Sequence, residues 1–211
     1  MEDNAVFVLL AGGKSDRMGV DKGLLKYNHT FWILEQLNRI STSSIKTVFI
    51  GLGYNSQNYF DAIPWLKDAL INFVNYRGLK IKTIVNTNPE LGSFSTLQTV
   101  LKNINSNVDV VLAPIDVPLL NSEGLNKIIS IKSEIVMPNF EGKNGHPIKM
   151  GLKFRKKLVS LNISDQNSRL DLQIKKLNSE EISIIKVKDA SVVKNLNTKT
   201  AWISFLNEEE K

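Results

Sequence analysis

The residues best equipped for chemistry are bunched near the start of the chain, in the stretch VFVLLAGGKSDRMGVDKGLL from Val6 to Leu25. Ala11, Gly12 and Gly13 carry almost no side chain, so an anionic ligand can come close to their backbone N–H groups, and glycine tolerates the positive φ that such loops need. Lys14, Arg17 and Lys22 follow within a turn-rich segment. Accessible N–H groups beside ammonium and guanidinium groups make a cradle for phosphate. It is not the P-loop, because no GKS or GKT triplet opens a helix. Nor is it the dinucleotide fingerprint Gly-x-Gly-x-x-Gly, because the glycines are adjacent.

Three other places could act with that loop. Asp116, in the sequence APIDVPLL, follows an apolar run at Val108 to Ala113, and Pro114 and Pro118 stiffen the exit. A carboxylate held at the carboxyl end of a strand sits where a metal bridging phosphates would lie, although an aspartate after a strand is also an ordinary turn residue. His146 stands in a Gly-His-Pro triplet and is one of only two histidines, so either substrate contact or the ordering of a turn explains it. Asn195, Leu196, Asn197 and Thr198 form an asparagine-rich turn in which Thr198 can cap the last helix.

The elements that must position these groups follow from periodicity. Val6 to Leu10 gives five consecutive apolar residues, the pattern of a strand covered on both faces in a parallel sheet. Thr47 to Leu52, Ile81 to Val85, Val108 to Ala113 and Ile135 to Pro138 read as further strands, with Ile182 to Val187 as an edge or returning strand. Between them, Ile33, Leu34, Leu37 and Ile40 fall at helical spacing behind a capping Thr30, and Leu97, Val100, Leu101 and Ile104 behind Ser93 or Ser95. Asn121 or Ser122 starts a helix through Ile128 and Ile129. Helical faces recur at Phe154, Leu158 and Leu161, at Leu170, Leu172, Ile174 and Leu177, and at Trp202, Phe205 and Leu206. The segment 58–80 reads as a short helix and an irregular connection. Ligands of a doubly wound sheet bind at the carboxyl ends of its strands, which makes Gly51, Gly53, Tyr54 and Asn55 candidate base or ribose contacts.

Composition narrows the function classes. The 211 residues, 42% of them hydrophobic, suffice for one sizeable domain over 1–211, with no internal repeat. The absence of cysteine excludes disulfides, thiolate metal sites and cysteine nucleophiles. The acidic MEDN start and the short apolar run after it do not make a signal sequence, and no stretch approaches a membrane span, so the expectation is a soluble cytoplasmic protein. A net charge of +6 suits anionic partners. The basic run Lys153, Arg155, Lys156 and Lys157 reads as a solvated surface, and no nucleic-acid motif accompanies it.

The string LAGGKSDRMGVDKGLL resembles the signature loop of the molybdenum cofactor guanylyltransferases, within the nucleotidyltransferases that share a Rossmann-like domain. The resemblance implies an α/β fold of three layers with a mostly parallel central sheet. Asp116 resembles the metal-binding aspartate of the family's Asp-x-Pro motif, Gly-His-Pro a recurring segment beside the acceptor, and Asn195 to Thr198 the family's Asn-x-Asn-Thr, although Lys199, Thr200 and Ala201 replace the usual Pro-Glu-Asp. By that resemblance Arg17, Lys22 and Asp116 carry catalysis. Leu10, Ala11, Gly12, Gly13, Lys22, Asn86 and Asp116 hold the nucleotide. His146, Asn195 and Asn197 face the acceptor, and Asp116 with Asn197 binds Mg²⁺.

The implied reaction is transfer of GMP from GTP to molybdopterin carrying molybdenum, with release of pyrophosphate. Molybdoenzymes or cofactor-insertion proteins are the implied protein partners, with no role for nucleic acid or membrane. Gly12 suits the guanylyl branch, since the cytidylyl branch usually reads Leu-Ala-Ala-Gly, whereas Asn86 and the run from Gly92 to Leu97 resemble the cytidylyl branch and CTP. A catalytically silent nucleotide- or cofactor-binding protein is the alternative of another class.

Overall fold

The computed structural model describes residues 5–105, 107–165 and 167–209. In chain order the elements are β1 (Ala5–Leu10), β2 (Lys26–Tyr27), β3 (Thr30–Phe31), α1 (Trp32–Ser41), β4 (Thr47–Leu52), α2 (Ser56–Ala62), α3 (Trp65–Asp68), β5 (Val74–Tyr76), β6 (Leu79–Val85) and α4 (Ser93–Lys102). There follow β7 (Asp109–Pro114), α5 (Ser122–Ser130), β8 (Ile135–Phe140), β9 (Lys143–Asn144), β10 (Ile148–Met150), α6 (Leu152–Ser160), α7 (Leu170–Ile174), β11 (Ile182–Lys186) and α8 (Lys199–Glu209).

The main sheet runs β11-β8-β10-β7-β1-β4-β6-β5, with β9 paired to β8. β1 lies between β4 and β7 and is parallel to both, with Phe7 opposite Val48 and Val111. Its apolar run is needed because both faces are covered. Phe7 and Leu9 pack with Trp32, Ile33, Leu37 and Ile40 of α1 in one core cluster, which α5 and α8 also enter. Val6 and Val8 point the other way, into a cluster with Val100 and Leu101 of α4 and Phe154 and Leu158 of α6. The result is three layers, helices on both faces of a mostly parallel sheet. The chain moves outward from β1 through β4 to β6 and then returns to the opposite side of β1 at β7. That reversal opens a crevice at the carboxyl ends of β1 and β7, the usual ligand position in such sheets.

Several local expectations are corrected. Thr30 does not cap α1: it pairs with Tyr27 in the β2–β3 hairpin, and Phe31 occupies the cap position without a side-chain hydrogen bond. Ser93 and Ser95 do not cap α4 either, since Gly92 holds the cap position and the Ser95 hydroxyl donates backwards to Gly92 O at 2.7 Å. The segment 58–80 is more regular than its sequence suggested, containing α2, α3 and the edge strand β5. Arg77 and Gly78, both at positive φ, turn β5 into β6 as a two-residue hairpin requires. β10 is an antiparallel strand between β7 and β8 that periodicity did not show. Its central residue is Lys149, buried because its ammonium reaches Asp109 at 2.9 Å. Asn121, by contrast, caps α5 as expected, its side chain accepting from Gly124 N–H at 2.9 Å.

α8 is docked by an aromatic cluster. Trp202 lies 5.3 Å from Trp32 and 5.8 Å from Phe205, centroid to centroid, and Tyr27 closes the group. Replacing buried Trp202 by alanine is expected to cost about 3–5 kcal/mol, the usual range for a large aromatic lost from a core. Urea unfolding followed by tryptophan fluorescence and circular dichroism measures that loss.

Candidate active site

At the end of β1 the backbone is tied to both neighbouring strands. Ala11 N–H donates to Gly51 O at 2.8 Å, and Leu10 O accepts from Ile115 N–H at 2.8 Å. Gly12 O accepts from Tyr54 N–H at 3.2 Å. A Cβ on Gly12 would stand 3.0 Å from Gly53 N and 3.1 Å from Thr96, so glycine here answers a close approach of the loop to the segment after β4 and to α4. Among the described residues the N–H groups of Gly12 and Gly13 have no partner, which leaves them available to an anion. The loop then folds over buried Met18, and the Ser15 hydroxyl accepts from Lys22 N–H at 3.2 Å.

Lys22 is the meeting point. Its ammonium lies 2.9 Å from Asp116 Oδ2, at the exit of β7, and also donates to Asn197 Oδ1. The Lys22 and Asp116 side chains are each 17% exposed, so the pair is sheltered yet reachable. Three of the residues singled out in the sequence are thus brought together from three distant parts of the chain.

The backbones that carry them are held by polar side chains, Trp32, Gln36 and Tyr59 buried and Asn55 and Asn58 exposed, a role that sequence reasoning missed even for Asn55, which it read as a base or ribose contact. On either side of Lys22, Asp21 and Gly23 are clamped to the start of α2. The Asp21 carboxylate accepts from Asn55 at 3.1 Å and Asn58 at 2.7 Å, and Gly23 N–H donates to the Tyr59 hydroxyl at 3.2 Å. Gly23 can only be glycine there, because a Cβ would fall 2.7 Å from the Tyr59 ring. Burial, and then the nearby Asp21 carboxylate, push the Tyr59 phenol well above its ordinary value, so it stays protonated. Asp116 is treated the same way by α1: Trp32 Nε1–H donates to Ile115 O and Gln36 Nε2–H to Val117 O, both at 2.7 Å. Leu196 N–H donates to Asp116 O at 2.8 Å, which brings Asn197 alongside. Gln36 had a readable signal, a polar residue between Ile33 and Leu37 on an apolar helix face.

Two neighbouring cavities lie here, and the Lys22–Asp116 pair lines the smaller of them. One, of about 320 Å³, is lined by Leu10, Ala11, Gly12, Gly13, Lys22, Tyr54 and Asp116 among others. The other, of about 1240 Å³, is lined by Met137, Asn144, His146 and the segment around Arg169. Leu10, Gly92, Ser93 and Pro114 belong to both linings, so the cavities adjoin. His146 is mostly enclosed, and burial holds its imidazole below the ordinary value of 6.5 despite the opposing pull of Leu112 and Asp116.

The remaining sequence candidates stand outside both linings. Arg17 is exposed and forms no ion pair among the described residues. Lys14 lies over the Tyr54 ring at 4.9 Å. Asn86 is buried and fully engaged, donating to Ser95 at 2.6 Å and Thr96 at 3.1 Å while its oxygen accepts from Asn88 N–H at 3.0 Å. Asn195 is exposed, with its amide 3.4 Å from Val193 O, and Asn55 serves Asp21. Thr198 caps α8 through Ala201 N–H at 3.1 Å, so that helix starts without the Pro-Glu-Asp continuation.

Residues 7–177 match the family of the MobA-like NTP transferase domain. The chain belongs to that family. A molybdenum cofactor guanylyltransferase of Xanthomonas euvesicatoria pv. vesicatoria is 29% identical over 123 residues, which is 58% of this chain. The match spans only about half of that relative, 52% of its length. Among solved structures, Rv0371c of Mycobacterium tuberculosis superposes with a TM-score of 0.76 at 18% identity, covering 98% of this chain and 99% of that one. The same protein has been solved in complex with manganese, with a TM-score of 0.69 at 17% identity over 97% and 98% of the two chains. A nucleotidyl transferase from Methanothermobacter gives 0.75 at 14% identity over 98% of both chains. These likenesses establish a MobA-like fold of the nucleotidyltransferase kind.

Asn58→Ala is expected to lower stability by about 1.5–3 kcal/mol, the cost of removing a hydrogen bond to a buried charge, as measured by urea unfolding. The depressed His146 imidazole has a pH signature. As pH falls through 6.5 the unfolded chain takes up the proton before the folded one, so stability drops between 6.5 and the lower folded value. His146→Gln should flatten that part of the profile, read from urea midpoints at pH 5.5 and 7.5.

Proposed function

We propose that the protein transfers GMP from GTP to the phosphate of molybdopterin, releasing pyrophosphate. The observation that carries this reading is the convergence of Lys22, Asp116 and Asn197 beside the cavity of the glycine loop, which shares Leu10, Gly92, Ser93 and Pro114 with the larger cavity. A donor nucleotide in the smaller cavity, against Lys22 and Asp116, and an acceptor in the larger would meet across the wall of Leu10, Gly92, Ser93 and Pro114. The molybdenum cofactor guanylyltransferase relative supplies the choice of substrates. GTP rests mainly on that relative, because Gly12 has a packing reason of its own. CTP remains the second reading, favoured by the Gly92 to Leu97 stretch, whose Gly92 and Ser93 line both cavities.

A phosphate monoester has a second pKa of about 6, so at neutral pH the acceptor is already an ionised nucleophile. No general base is needed, which agrees with a cluster that has none beyond a neutral, enclosed histidine. One acceptor oxygen bonds to the α-phosphorus as the bond to the bridging oxygen breaks, and pyrophosphate leaves with that electron pair. Catalysis is then positioning and charge neutralisation. The free N–H groups of Gly12 and Gly13 cradle phosphate oxygens, Arg17 reaches in from solvent to the β- and γ-phosphates, and Lys22 neutralises the α-phosphate. By the family resemblance His146, Asn195 and Asn197 face the acceptor, and of these His146 lines the larger cavity.

The family's divalent metal fits the donor set: Asp116 Oδ2 and Asn197 Oδ1 are hard oxygens already aimed at one cationic point, now filled by the Lys22 ammonium. Manganese in the Rv0371c structure is consistent with such a site. Bound there as Mg²⁺, the metal would neutralise charge on the transferring phosphates.

Lys22→Ala and Asp116→Ala should each slow pyrophosphate release about a hundredfold, equivalent to about 3 kcal/mol, with unchanged circular dichroism; normal turnover in either sinks the assignment. Nucleotide choice is tested by thermal unfolding with GTP, CTP, ATP or UTP and Mg²⁺. At a hundred times its dissociation constant a ligand bound only by the folded state adds about 2.7 kcal/mol. GTP should raise the midpoint most, and a larger shift with CTP would move the protein to the cytidylyl reading.

A further inference from the structure

We infer that in the nucleotide-free protein the Lys22 ammonium holds the place of the metal, so that the Lys22–Asp116 pair and a divalent cation exclude each other. The nucleotide then completes the metal site by drawing Lys22 onto its phosphate. This rests on the reading of Asp116 and Asn197 as the metal's protein ligands.

Two independent observations carry it. The first is that one ammonium engages both oxygens, Asp116 Oδ2 at 2.9 Å and Asn197 Oδ1. A cation on the same two oxygens would be forced against that ammonium, and like charges in a sheltered site repel strongly. The second is the poverty of the site without substrate. Among the described residues no group of three or more His, Asp or Glu side chains could hold a metal, so the site supplies one carboxylate and one amide oxygen. Magnesium is usually held by one or two carboxylates together with phosphate oxygens and water, so an incomplete protein set is what a nucleotide-dependent site looks like.

The geometry also says which group moves. Asp116 is held through Ile115 O, Val117 O and its own carbonyl, and Asn197 follows the Leu196 hydrogen bond to Asp116. The backbone on either side of Lys22 is clamped by Asn55, Asn58 and Tyr59. What is left to move is the four-carbon stem of Lys22, which hangs over the cavity of the glycine loop. A nucleotide phosphate offers its ammonium a new counter-charge, and its departure exposes two oxygens beside phosphate oxygens that complete the metal's shell. Metal binding is therefore conditional on nucleotide binding. The free protein is protected from holding a cation in a site with nothing to transfer.

The test is Mn²⁺ binding to the nucleotide-free protein, followed by the electron paramagnetic resonance signal of free Mn²⁺. Lys22→Met removes the charge, keeps the length and adds no oxygen ligand; thermal unfolding checks that it folds. Lys22→Met should bind Mn²⁺ at least tenfold more tightly than the unaltered protein, and adding Asp116→Asn should abolish the gain. Equal or weaker binding by Lys22→Met overturns the exclusion. In that case pyrophosphate release by Asp116→Asn tells whether the site reading falls too: a collapse of turnover leaves that reading standing, whereas normal turnover removes both. A gain that survives Asp116→Asn places the cation elsewhere and also overturns the inference.

Discussion

A single ammonium between two oxygens ties together parts of the chain 94 and 175 residues apart. Contacts of such long range carry a large closure entropy, and they are sustained because the surrounding backbone is already fixed by burial and hydrogen bonding. β1 and β7, paired over the whole of β1, deliver the loop and the aspartate to one edge of the sheet. α8, seated on α1 by aromatic packing, delivers the asparagine. The cluster is a consequence of packing on one face of the sheet.

What separates the cluster from a surface ion pair is the hydrogen-bonded layer around its backbone. Two helices each contribute polar side chains, Trp32, Gln36 and Tyr59 from buried positions and Asn58 from an exposed one. α1 sends Trp32 and Gln36 to the carbonyls flanking Asp116, and α2 sends Asn58 and Tyr59 to the residues flanking Lys22. Every one of these polar side chains has a partner, and a buried amide or hydroxyl in such a network fixes direction as well as position. The Lys22 and Asp116 side chains keep their freedom while their attachment points lose theirs, the division of labour that the proposed transfer would call for.

The parallel core was legible because strands covered on both faces leave uninterrupted apolar runs, as Val6 to Leu10 does. The glycine loop, Asp116 and the Asn195 to Thr198 turn stood out by residue type and by resemblance, and the structure brings Lys22, Asp116 and Asn197 of them into contact. β10 was hidden by Lys149, whose burial depends on Asp109, a partner that no local pattern can display. The misplaced caps at Thr30 and Ser95 share a cause: a hydroxyl has competing backbone partners, and tertiary pairing of β2 with β3, or the turn at Gly92, decided between them. Asn86 had the composition of a ligand contact and instead braces the loop before α4, a distinction that rests on its three hydrogen bonds.

The antiparallel course of β10 shapes the crevice in one more respect. Along the parallel strands, residues reach the crevice as the chain leaves a strand, and Leu10 and Pro114 do so. β10 runs against its neighbours, so its beginning is the end that faces the crevice, and Asn144 and His146 arrive there as the chain enters a strand. One side of the crevice is thus written in strand exits and the other in a strand entrance. Insertions ahead of β10 would reshape the larger cavity while leaving the loop after β1 untouched, so the two cavities of this architecture can vary independently.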